Sequence, residues 1–217
     1  MGGRSNSENN AFELARRAID KAKAMSEPRE RLAVLASVLG SGNIVGATDL
    51  HTGMSIAELV LSTPEVGNDS YVRVALLKAL HDNPILLGDL FERGMLASSD
   101  VTFALLYKRA GSGDAKQQLW ALEKLRRRMR SGKVGTITPL HDFEITSRLL
   151  ETSTDKDLWL RVVSDPLFIN ISIPEMGSGG GSTPFAIRAM EIAKRALPAQ
   201  AYGAVYTALK AAQSRRA

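Results

Sequence analysis

Helix-start punctuation recurs along the whole chain, while almost no segment alternates apolar with polar residues over more than three or four positions. Pro28 and Pro84 stand where a first helical turn accepts proline, and Thr138-Pro139 and Thr183-Pro184 join a capping residue to proline at the first helical position. Ser55 with Glu58, Asp114 with Gln117 and Thr154 with Asp157 have the spacing of capping boxes. A half-buried sheet requires runs of period two, and this chain does not supply them. The expected fold class is all-α, an irregular multi-helix bundle of about nine or ten helices.

Residues 1–8 are small and polar without periodicity, and read as a disordered lead or an expression remnant. From Asn9 to Met25, Phe12, Ala15, Ile19 and Ala22 share one helical face, and a second helix runs from Pro28 to about Leu39. Short helices follow from Ser55 to about Leu61, from a cap at Asn68 or Asp69, from Pro84 to Arg93, and from Ser98 or Ser99 to about Ala110. Tyr71 to Leu80 is apolar nearly all round, which only a helix covered on most sides can accommodate, so it is expected at the centre of the core. Overlapping it, Val72 to Pro84 resembles one helix of a HEAT-type repeat. A short HEAT-like α-solenoid is therefore the alternative architecture, although no second copy aligns with those residues.

Gly177 to Ser182 is a run of glycine and serine only, the composition of a flexible linker, and it divides an expected helical domain at 9–176 from a segment at 183–217. A designed tether and a natural coil both fit that composition. Beyond it the sequence becomes alanine-rich, with Phe185, Ala189, Ile192 and Ala196 on one face of a first helix, a corner at Leu197-Pro198, and Tyr202, Val205, Tyr206 and Leu209 along a second. Isolated helices of about 12–15 residues are marginal in water, so this hairpin is expected to dock on 9–176, as its own C-terminal part or as a fused partner segment. Phe185, Ile192, Tyr202, Val205 and Leu209 are the expected anchors.

The absence of cysteine removes disulfides, thiolate metal sites and cysteine nucleophiles together. His51, His81 and His141 are each isolated in sequence and are read as caps, turns or surface hydrogen bonds, so neither metal nor cofactor is expected. Gly40 to Gly46 resembles a phosphate loop only loosely, because its third glycine falls a residue late and no strand precedes it. Asp49, His51 and Ser55 contain triad residue types without a nucleophile elbow, and a non-catalytic protein is expected. No apolar run approaches the roughly 18–20 residues of a membrane span, and the expected location is cytoplasmic, with delivery into a host cell as an effector the alternative.

Charge is uneven along the chain. Between Lys108 and Lys133, nine Lys or Arg face only Asp114 and Glu123. On the helix expected from Asp114 to Arg130, Leu119, Leu122, Leu125 and Met129 gather on one side and Lys116, Lys124, Arg127 and Arg128 on the other, with Trp120 among the cations. An indole flanked by cations stacks on a base or packs against a protein partner. Two function classes follow: a helical protein–protein interaction module, adaptor, scaffold or effector-like, with an apolar groove for amphipathic helices, and an RNA- or DNA-binding protein using helix 114–130. The first ranks higher because burial of two apolar stripes outweighs weak, salt-sensitive phosphate contacts.

Overall fold

A computed structural model describes residues 6–39, 50–131, 138–174 and 182–214. The described residues are 81% helical and form fourteen helices, three of them single turns. The chain divides into two compact units, Met1–Ala104 and Leu105–Glu175 with Gly179–Ala217, each considered by itself below. The residues expected as one domain at 9–176 thus fall in both units, and those of the tail cluster with the second. Glycine loop 40–46, Asp49 and residues 177–181 of the Gly/Ser run lie outside the described residues.

The first unit contains α1 (Asn6–Lys23), α2 (Pro28–Val34), α3 (Ala36–Leu39), α4 (Leu50–Ser62), α5 (Pro64–Gly67), α6 (Ser70–Leu80) and α7 (Pro84–Glu92). The expected lead is therefore already helical from Asn6. Helix α6 takes the central place its composition requires: Val72, Val74, Leu76, Leu77 and Leu80 are buried, and α2, α3, α5 and α7 all pack on it. Asp69 is its cap, accepting from the Tyr71 and Val72 amides at 2.9 and 3.2 Å while also pairing with Arg31 of α2. Burial first, and then the Asp69 charge, push the Tyr71 phenol above its ordinary range. Ser55 begins no helix. It lies within α4, where its hydroxyl donates to the His51 carbonyl one turn back. Gly67 has no room for a side chain, since an added Cβ would meet the Leu61 carbonyl oxygen at 2.5 Å.

Helix α8 (Ser98–Ala110) carries the chain into the second unit, followed by α9 (Ala115–Arg130), α10 (Pro139–Thr152), α11 (Lys156–Val163), α12 (Pro166–Ile169), strands β1 (Ser172–Pro174) and β2 (Ser182–Pro184), α13 (Phe185–Ala196) and α14 (Ala199–Ser214). Thr138 caps α10 in a reciprocal box with His141, and Asp114 caps α9 through the Lys116 amide at 2.8 Å. The cap of α11 is Asp155 rather than Thr154, its carboxylate accepting from the Asp157 amide at 2.8 Å. Thr183-Pro184 is likewise not a cap-and-proline start. Ser182–Pro184 pairs antiparallel with Ser172–Pro174, Ser172 opposite Pro184, and the Phe185 amide donates to the Ile171 carbonyl at 2.8 Å. The strand holds Thr183 and Pro184 extended, which delays α13 to Phe185.

Candidate functional site

The second unit holds most of the positive charge: residues 105–217 carry eighteen Lys or Arg against ten Asp or Glu, and residues 1–104 carry ten against thirteen. Much of its acidic complement is held in structural work. Asp114, Asp155 and Asp165 cap helices, Asp142 pairs with Arg128, and Glu151 pairs with Arg188 at 2.7 Å. The cations without such partners therefore set the surface character.

Helix α9 is the centre of that surface. Its buried side consists of Gln118, Ala121, Leu122 and Leu125, turned by about an eighth of a turn from the stripe expected from its leucines. Gln118 explains the turn. Its amide nitrogen donates to the Ser112 carbonyl at 2.7 Å and to the Thr152 hydroxyl at 3.1 Å, so a polar residue closes the junction between α8, α9 and α10. Two expectations change with that rotation. Leu119 is 38% exposed rather than buried, and Arg128 leaves the basic face to pair, half-buried, with Asp142. Desolvation by burial lowers the Arg128 pKa from its ordinary value.

Lys116, Trp120, Lys124 and Arg127 do lie exposed on the opposite side of α9. Trp120 is 38% exposed, with the Arg109 guanidinium 4.7 Å and the Lys124 ammonium 5.6 Å from its ring centroid. Both distances fit cation–π attraction, which holds the ring and the two charges together at the surface. Arg109 comes from the last turn of α8 and was not singled out by the sequence reading. Its only signal there was membership of the basic run, since the α8–α9 corner that delivers it is tertiary.

The five expected anchors have a different fate. Phe185, Ile192, Val205 and Leu209 are at most 2% exposed, and Phe185 meets Phe143 of α10 edge-on at 5.7 Å. Helix α13 packs on α10, and α14 on α11 and α12, so this apolar surface is already covered within the second unit. Tyr202 is half-buried and stacks on Tyr206 at 6.3 Å. Among the described residues no three His, Cys, Asp or Glu side chains are grouped as a metal site would require, and no helix is long and apolar enough to cross a membrane. His81 bonds the Lys78 carbonyl at 2.6 Å and His141 completes the α10 capping box.

The fold and surface define an all-α chain with a cationic second unit. No protein-family model, curated protein or solved structure matches it.

Proposed function

We propose that this chain is a non-catalytic helical binding module whose partner is an anionic polymer, a nucleic-acid strand, engaged by the exposed side of α9. This places the RNA- or DNA-binding reading above the protein-adaptor reading. The observation that carries it is the cluster of Lys116, Lys124 and Arg127 around an exposed Trp120, with Arg109 joining them from α8. The adaptor reading rested on apolar stripes in need of cover, and α10, α11 and α12 supply that cover within the chain. Long cationic side chains contact phosphates, while the indole, once its cations turn to phosphate, offers a face on which a base can stack.

About four or five phosphate contacts imply roughly a hundredfold loss of affinity between 50 and 200 mM salt. The test is titration with single-stranded RNA and with duplex DNA at both salt concentrations, comparing the native protein with Lys124→Glu plus Arg127→Glu. Binding that falls steeply with salt and is lost in the variant supports the reading. Salt-independent binding, or none at about 50 mM, refutes it. One observation favours the protein-adaptor reading: Leu105 and Leu119 are 46% and 38% exposed in the same unit as Trp120 and Arg109, and tryptophan with arginine is the composition of interface hot spots.

A further inference from the structure

A different strip of α9 carries Arg126 and Arg130, one helical turn apart. With Arg161 from the last turn of α11, and with Ser164 and Asp165 just after it, they line an open concavity of about 380 Å³. Asp165 is 8% exposed: its Oδ1 accepts from the Leu167 amide at 3.0 Å as the cap of α12, and its Oδ2 forms an ion pair with Arg126, 2.8 Å from Nε but outside hydrogen-bond geometry. The fold thus accounts for Arg126. It does not account for Arg130 and Arg161, which are exposed and make no ion pair among the described residues. Asp155 and Asp157 share the neighbouring concavity with Arg161, yet Asp155 is the α11 cap and neither carboxylate pairs with it.

Three guanidinium groups around one concavity with one carboxylate leave a surplus of about two positive charges. Side chains of like charge converging from two helices raise the energy of the empty arrangement, and an anion between them lowers it. We propose that this concavity binds a terminal phosphate, a phosphomonoester dianion. Such a group carries roughly −1.5 to −2 at pH 7, matching the surplus, whereas a backbone diester carries only one charge. Arg130 and Arg161 present the planar forks that engage phosphate oxygens in pairs, Arg126 is oriented by Asp165, and the Ser164 hydroxyl is a further donor at the rim. The residues differ from those of the proposed nucleic-acid surface, so the site stands or falls separately. A free phosphate and the 5′ end of a strand share this chemistry.

The experiment compares 5′-phosphorylated and 5′-hydroxyl forms of one single-stranded oligonucleotide at about 150 mM salt, where exposed charges are well screened. Inorganic phosphate alone is followed in parallel by phosphorus NMR line broadening. Native protein, Arg161→Gln, Arg130→Gln, and Lys124→Glu plus Arg127→Glu are measured. The expected result is about tenfold tighter binding of the phosphorylated strand by native protein, a ratio near one in each single variant, and an unchanged ratio at weaker overall affinity in the double variant. Broadening of phosphate that either single substitution removes, without strand discrimination, supports the site with a free phosphate as its ligand, even if neither strand binds and the nucleic-acid reading fails. A ratio near one in native protein together with no phosphate broadening overturns the proposal, as does discrimination or broadening that survives both single substitutions.

Discussion

Replacing Phe185 with alanine tests whether the C-terminal hairpin is an integral part of the second unit. Phe185 is 0% exposed at the start of α13 and packs edge-to-face on Phe143, the ring planes 88° apart. Truncating a buried phenylalanine costs about 3–5 kcal/mol, of which an aromatic pair supplies roughly 0.5–1.5. A domain is stable by only about 5–15 kcal/mol, so the substitution should remove a large fraction of the unit's stability. Urea unfolding followed by tryptophan emission reads this directly, because Trp159 is 0% exposed in α11 and its indole donates to the Ser153 carbonyl at 3.0 Å. A Trp120→Phe background removes the exposed reporter. A double-mutant cycle with Phe143→Leu and Phe185→Leu then isolates the ring pair, expected at about 0.5–1.5 kcal/mol of coupling. A cost for Phe185→Ala below about 1 kcal/mol with an unchanged denaturant slope would show that the hairpin contributes little cover, and the placement of the anchors would be wrong.

In the first unit, Asp100 is 3% exposed and accepts from Arg73 Nη2 at 2.6 Å and from the Ala97 amide at 2.7 Å. Asp100→Ala should lower stability by about 3–5 kcal/mol, because it strands the half-buried guanidinium and an amide together, while Asp100→Asn should recover part of that; equal thermal stability of Asp100→Ala and native protein would refute it. The raised Tyr71 pKa predicts alkaline sensitivity. The folded chain resists losing this proton, so the stabilisation is complete below the ordinary phenol pKa and is lost as pH rises through the folded one. Tyr71→Phe should flatten the alkaline limb of a stability-against-pH curve, and an identical limb in that variant would count against the assignment.

Helix existence was legible because its signals are local. Pro28, Pro84, Thr138-Pro139 and Asp114 mark helix starts by chemistry confined to one turn, and the all-round apolarity of 71–80 states its burial without reference to any partner. Errors arose where a long-range partner took over a local signal. Thr183 and Pro184 carry a helix-start pattern, but pairing with Ser172–Pro174 holds them extended. Ser55 and Glu58 carry a box pattern inside a helix that already includes Leu50, so Ser55 turns to the His51 carbonyl instead. Periodicity also located the buried side of α9 only roughly, because it counts leucines and cannot know that the Gln118 amide finds acceptors at Ser112 and Thr152.

The candidate surface was less legible for the same reason. Lys116, Trp120, Lys124 and Arg127 share a helix and can be seen together in sequence, whereas Arg109 and Arg161 arrive from α8 and α11. The rotation that removed Arg128 from the basic face also separates two kinds of cation along α9. Those around Trp120 are long, solvated and unconstrained by carboxylates among the described residues, so their attraction for any polyanion is broad and decays with salt. Those beside Asp165 converge with Arg161 on one concavity, with Arg126 already fixed, so the cost of ordering them is partly met before a ligand arrives. On the proposed reading, affinity for a strand and discrimination of its end belong to different residues. Charge reversal at Lys124 and Arg127 should erode the first and leave the second, and glutamine at Arg161 should do the converse.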